Sequence, residues 1–253
     1  GALLFRGDEP GLYVPAPMLA TKVEIDVSGT IARTTVTQYF RNPSDQWVEG
    51  VYVFPLPETA AVNRLRLRIG DRFIEGQIKE REAARKAYEA AKAEGKKASL
   101  VEQERPNMFT NNVANIGPGD TVVVQIEYQQ TVHQDGGDFR LRFPMVVGPR
   151  YNPAPALTAG LETIVLSDPV PDRDRITPPV LHPDMDRANS VTLVVVLNTG
   201  FPLGDIASPH HAIDVARETP GQAVVTLRDG QTPANRDFEL VWAPDVGAAP
   251  AAG

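Results

Sequence analysis

Between Gln46 and Glu104 the spacing of apolar positions changes period, and the change separates strands from a helix. From Val62 to Ile69 polarity alternates, so Leu65, Leu67 and Ile69 point one way and Arg64, Arg66 and Arg68 the other, the period of two expected of a half-buried strand. From Lys79 to Glu94 the period lengthens. Ala84, Ala87, Tyr88 and Ala91 fall at helical spacing, Glu82 and Lys86 make an i,i+4 pair on the outer surface, and Gly95 supplies a C-terminal stop. The segment therefore predicts strand, strand, helix, strand.

The same reading predicts strands at Lys22 to Val27, Ile31 to Phe40, Val48 to Phe54, Val62 to Ile69 and Phe73 to Lys79. After the helix it predicts Ser99 to Glu104, Phe109 to Ile116, Thr121 to Val132 and Phe139 to Phe143. Turns are signalled by Ser28-Gly29, by Gly117 to Asp120 and by Asp135-Gly136-Gly137. Short turns favour antiparallel neighbours, and a sheet with one apolar face must bury it against another layer. The expected fold is thus mainly β, an antiparallel β-sandwich with one crossover α-helix over residues 1–150.

The proline-dense stretch from Gly148 to Ala159 marks a boundary or a tight crossing between sheets. Beyond it, residues 151–245 form a second β-rich region, either separate or an extension of the sandwich. Its expected strands are Leu161 to Ser167, Val191 to Leu197, Ala212 to Ala216, Ala223 to Arg228 and Asp237 to Trp242, with a long exposed loop at Asp168 to Asp186. The Ala, Pro and Gly content from Ala243 onward reads as a linker, with residues 246–253 as its tail.

Composition narrows the function. A formal net charge of −7 over 253 residues repels phosphate backbones and argues against nucleic acid. Cysteine is absent, which removes disulfides, thiolate metal sites and thiol nucleophiles. No window approaches the roughly 18 apolar residues of a membrane span. The 23 prolines and 20 glycines fall as punctuation between short apolar runs, as in a chain of many strands.

No nucleophile elbow, phosphate loop, His-Glu-x-x-His or dinucleotide fingerprint occurs, so no catalytic residues, cofactor or metal site are assigned. His133, His182, His210 and His211 are scattered in or beside loops. Asp26 to Thr30 has the spacing of a hydroxyl and carboxylate metal loop, but its alternating flanks predict a hairpin turn. Leu56 to Ala60 resembles a sorting pentapeptide, yet it is internal, and Pro55 and Pro57 read more simply as the end of a strand. Arg6-Gly7-Asp8 is too short to carry an adhesion reading. Glu104 to Phe109 reads as a strand junction bent at Pro106. The remaining candidate is basic: Arg64, Arg66 and Arg68 on one strand face, joined by Arg140 and Arg142, would make a stripe able to fork onto carboxylates or sulfated and phosphorylated sugars. The alternative is a solubilising face paired with Glu80, Glu82 or Glu89 of the helix.

Three blocks in one order carry a family resemblance: VSGTIARTTVTQYFRNPSDQWVEGVYVFPLPETAAV from Val27, GDRFIEGQIKEREAARKAYE from Gly70, and LVEQERPNMFTNNV from Leu100, completed by ANIGPGDTVVVQIEYQQTV and FRLRFPMVVGPRY. Over about the first 150 residues the chain resembles the vault protein inter-alpha-trypsin (VIT) domain, in the branch called marine proteobacterial sortase target proteins. That resemblance implies an exported bacterial envelope protein whose leader is removed and whose VIT region precedes a von Willebrand type A domain. It implies a non-enzymatic interaction module with a protein partner, and an anionic glycan as a further ligand class. The alternative is a scaffold that packs on its own von Willebrand domain. Related animal heavy chains couple covalently at an Asp-Pro junction in a longer C-terminal context, which Asp168-Pro169 lacks.

Overall fold

The computed structural model describes residues 1–7, 13–57, 59–76, 99–105, 108–145 and 190–245. In chain order the strands are β1 (Ala2–Arg6), β2 (Tyr13–Pro15), β3 (Met18–Ser28), β4 (Ile31–Arg41), β5 (Val48–Pro55) and β6 (Ala61–Ile69). They continue with β7 (Arg72–Gly76), β8 (Ser99–Arg105), β9 (Met108–Ile116), β10 (Thr121–Thr131), β11 (His133–Asp135) and β12 (Asp138–Phe143). After residue 189 come β13 (Ser190–Asn198), β14 (Leu203–Ala207), β15 (Ile213–Thr219), β16 (Gln222–Leu227), β17 (Thr232–Pro233) and β18 (Phe238–Pro244). The described chain is mainly β, as expected. The crossover helix expected at Lys79 to Glu94, the strand at Leu161 to Ser167 and the loop at Asp168 to Asp186 lie outside the described residues.

Alternation decides which side of each strand is buried. In β10, Val122, Val124, Ile126 and Tyr128 face inward and the residues between them do not. Each such aliphatic side chain contributes about 1.5–3 kcal/mol when fully removed from water. The strands form a nine-stranded sheet in the order β15-β16-β13-β3-β4-β10-β6-β7, with β17 paired to β13. A five-stranded sheet runs β2-β1-β5-β9-β8, and a four-stranded sheet runs β11-β12-β18-β14. Both smaller sheets share one apolar cluster with the inner side of the large one. The large sheet contributes Val23, Ile25, Leu67 and Ile126, the five-stranded sheet Leu3, Tyr52 and Phe54, and the four-stranded sheet Phe139, Leu240 and Trp242.

One pairing departs from the antiparallel expectation. β13 lies parallel to β3, with Val195 opposite Ile25, so the large sheet is mixed. A parallel neighbour cannot be joined by a tight turn, and β3 and β13 are separated in the chain by β4 to β12. Strands from both sides of residues 146–189 therefore share the nine-stranded and four-stranded sheets. β1 also escaped the alternation reading, because Leu3, Leu4 and Phe5 are all buried and no polar face marks the strand. Leu4, Val51 and Val53 make a second, smaller apolar cluster.

Hydrogen bonds from polar side chains tie the layers of this core together at two places. The Tyr52 hydroxyl donates to Gln38 Oε1, and Gln38 Nε2 donates to Thr21 Oγ1 at 3.1 Å, tying the five-stranded sheet to β3 and β4. Burial holds the Tyr52 phenol far above its ordinary pKa, so it remains a neutral donor. At the other end, Gln130 Nε2 donates to the Arg142 carbonyl at 3.3 Å and links β10 to β12. No helix among the described residues is long and apolar enough to cross a membrane.

Candidate interaction face

Strand β6 presents Leu65, Leu67 and Ile69 to the core and its three arginines to the outside. It sits between β10 and β7, which fixes each arginine's neighbours. Glu127 lies opposite Arg64 and Gln125 opposite Arg66, while Val123 stands opposite Arg68. On the other side Glu75 lies opposite Arg66, and Phe73 opposite Arg68. Arg64 Nε is 3.3 Å from Glu75 Oε1 and its Nη1 is 3.9 Å from Glu127 Oε1. Arg66 reaches the same two acids at 3.8 and 3.9 Å. Two arginines and two glutamates thus cancel locally, an arrangement that contributes roughly 0–1 kcal/mol per exposed pair and is screened by salt. Arg68 is exposed and makes no ion pair among the described residues. The helix acids expected as partners, Glu80, Glu82 and Glu89, lie outside those residues.

Arg140 and Arg142 stand elsewhere. They project from β12 in the four-stranded sheet, where Arg140 pairs with Glu239 and Arg142 Nε lies 2.9 Å from Asp237 Oδ2. The five arginines therefore do not form one stripe. Period two sets the face of a strand but says nothing about which sheet that strand joins. Around the second group an open surface hollow is lined by Arg142, His210, Arg236, Asp237 and Glu239. His210 Nε2 is 3.9 Å from Glu239 Oε2. The adjacent His211 ring lies 5.5 Å from the Phe238 ring, and burial first, then Arg236 and His210, hold its pKa below the ordinary value. His133 is exposed on β11, and His182 lies outside the described residues. Among the described residues no three His, Cys, Asp or Glu side chains converge as a metal site would require.

The remaining motifs resolve into turns and strand ends. Asp26 to Thr30 closes the β3–β4 hairpin, with Ser28 opposite Ile31 and Gly29 at φ 58°, a left-handed position that favours glycine. Leu56 is buried in the main core and Ala60 N donates to Pro57 O at 3.0 Å, so the pentapeptide is a tight connection after β5. Arg6 lies 3.5 Å from Glu49; Asp8 is outside the described residues, as are Pro106, Asn107 and Asp168-Pro169.

Two exposed aromatics were not singled out from the sequence. Phe73 is 65% exposed beside Arg68 and Trp47 is 66% exposed beside Gly117. The signal for Phe73 was available: in Arg72 to Gly76 it falls on the same side as Glu75, the outer one. Trp47 rides on a loop fixed by Asn42, which is fully buried. Asn42 Nδ2 donates to Gln46 O and Gly117 O, both at 2.9 Å, and its Oδ1 accepts from Ser44 N at 3.1 Å and Ser44 Oγ at 2.7 Å. The β4–β5 and β9–β10 connections are thereby locked to each other.

Residues 18–128 match the family model of the vault protein inter-alpha-trypsin domain. Protein mono-ADP-ribosyltransferase PARP4 of Mus musculus is 35% identical over 114 residues, 45% of this chain and 6% of that protein. Von Willebrand factor A domain-containing protein 5A of Rattus norvegicus is 28% identical over 138 residues, 53% of this chain and 17% of that protein. Inter-alpha-trypsin inhibitor heavy chain H3 of Rattus norvegicus is 30% identical over 124 residues, 48% of this chain and 14% of that protein. The chain thus spans less than a fifth of each of these relatives.

Proposed function

Because residues 18–128 form a VIT domain, we propose that this chain is a non-enzymatic interaction module that meets a protein partner through the outer face of β6 and β7. The observation that carries this reading is the exposed pair of Arg68 and Phe73 on the outer side of a sheet whose inner side, at Leu65, Leu67 and Ile69, is buried in the core. The strand backbones that carry Arg68 and Phe73 are already ordered by the sheet, so docking costs only side-chain rotamer freedom, and arginine and aromatic residues are enriched at interfaces. The resemblance to sortase target proteins supports a place in an exported bacterial envelope or surface protein. An anionic glycan is the second ligand class proposed; beside the hollow Arg140 and Arg142 are already paired with Glu239 and Asp237, so Arg236 is the guanidinium there that such a ligand would meet.

A scaffold role, in which the module packs on a von Willebrand domain of its own protein, is favoured by the similarity to a protein named for such a domain. One experiment separates the readings. The fragment is used as bait against envelope and cytosolic fractions of its source cell, beside the variant with Arg64, Arg66 and Arg68 all changed to Glu. Envelope capture lost in the variant supports the external partner. Absence of capture, with co-elution of the fragment and a separately produced downstream domain, supports the scaffold.

A further inference from the structure

We infer that the ligand of this face is a protein segment in which a carboxylate side chain is flanked by large apolar side chains, seated on the row Tyr39, Val123, Arg68 and Phe73. The inference rests on the interaction-module reading above and names its partner's chemistry. The row follows from register: Tyr39 on β4 lies opposite Val123 on β10, Val123 opposite Arg68 on β6, and Arg68 opposite Phe73 on β7. All four point to the outer side, Tyr39 and Val123 half-buried, Arg68 and Phe73 exposed. With strands about 4.8 Å apart, three steps span roughly 14 Å, enough for about four residues of extended chain.

Charge selects the centre of the row. An acidic ligand at Arg64 or Arg66 would have to displace Glu75 or Glu127, which already lie within 3.3–3.9 Å. At Arg68 the cross-strand neighbours are Val123 and Phe73, whose side chains accept no hydrogen bond. Arg41, two residues along β4 from Tyr39 and on the same side, is exposed and makes no ion pair among the described residues. A carboxylate there meets a guanidinium fork flanked by apolar side chains, and the ligand's own apolar groups laid over Phe73 and Val123 would take the pair out of water. A bare phosphate or sulfate would leave Phe73 uncovered, and the net charge of −7 opposes a polyanion. Phe73 itself offers the area of an aromatic anchor.

The test uses the 253-residue chain, ¹⁵N-labelled, with the blocked peptide acetyl-Gly-Phe-Asp-Leu-Asp-Phe-Gly-amide, its Lys-for-Asp counterpart, and inorganic sulfate at matched ionic strength. The Asp peptide is expected to shift the amide signals of Tyr39, Val123, Arg68 and Phe73. Its dissociation constant should rise at least about fivefold in Arg68→Gln and in Phe73→Ser, and stay within about twofold in the Arg64→Lys, Arg66→Lys double variant, which keeps the charge that neutralises Glu75 and Glu127. Both single changes are at exposed positions, and unchanged melting temperatures check that the fold is kept. The assignment is overturned by no binding of the Asp peptide at millimolar concentration, by equal binding of the Lys peptide, by the same shifts from sulfate alone, or by indifference to Arg68→Gln. Envelope capture that survives Arg68→Gln and Phe73→Ser would refute this ligand chemistry and leave the interaction-module reading standing.

Discussion

Replacing Asn42 should unfasten the two connections that carry Trp47, and its cost follows from the bonds the side chain makes. The amide is fully buried and holds five partners: the carbonyls of Gln46, Gly117 and, at 3.5 Å, Ile116, and the amide and hydroxyl of Ser44. The backbone of the same residue donates to Asp120 O at 2.9 Å, so the side chain sits where both loops meet. A neutral hydrogen bond contributes about 0.5–1.5 kcal/mol net, and a buried group left unpaired costs about 1–3 kcal/mol. Water can reach the Ser44 and Gln46 groups more easily than the Gly117 carbonyl, so Asn42→Ala should cost about 2–4 kcal/mol. For a chain of this size that is a fall in melting temperature on the order of 10 °C. Urea titration is the assay, with the midpoint lowered and the slope unchanged. Asn42→Asp sharpens the argument. It keeps the acceptor for Ser44 but turns a carboxylate oxygen toward the carbonyls, so at neutral pH it should cost at least as much as alanine. Part of that loss should return as the pH falls toward about 4 and the carboxyl gains a proton to donate. A loss under about 1 kcal/mol in Asn42→Ala, or a wild-type midpoint in Asn42→Asp, would mean that these bonds do not hold the two loops together.

Three further expectations rest on separate features. Tyr52→Phe leaves Gln38 Oε1 buried without its donor and should cost about 1–3 kcal/mol, most of it recovered when Gln38→Leu is added; a double-mutant cycle measures the coupling, and additive losses would contradict the bond. His211 is held below its ordinary pKa of 6.5, mainly by burial, so the unfolded chain takes up its proton more readily. Stability linked to it is complete above about pH 6.5 and is lost as pH falls toward the lower folded pKa, and melting curves from about pH 7 to 5 should slope less steeply in His211→Asn. Gly29→Ala meets no atom within 4 Å but keeps a positive φ, so thermal melting should show a loss of about 1–2 kcal/mol from backbone strain alone, and added MgCl₂ should shift neither protein if Asp26 to Thr30 is only a turn.

Alternation in β3, β4, β6, β10 and β12, and the turn residues at Ser28-Gly29, Gly117 to Asp120 and Gly136-Gly137, were legible in the chain because each depends on residues a few positions apart. The outward direction of Arg64, Arg66 and Arg68 was legible for the same reason. Sequence alone did not decide neighbours. The parallel seat of β13 against β3 and the assignment of Arg140 and Arg142 to another sheet each depend on contacts between distant segments. The cancellation of Arg64 and Arg66 is half local, since Glu75 faces them across the β6–β7 hairpin, and half long-range, since Glu127 is some sixty residues later in the chain and is brought opposite Arg64 only by the register of β10 against β6. A period of two fixes which way a side chain points. Only the closed core, by bringing particular strands side by side, fixes what it points beside, and that is why Arg64 and Arg66 are paired with carboxylates while Arg68 lies between Val123 and Phe73.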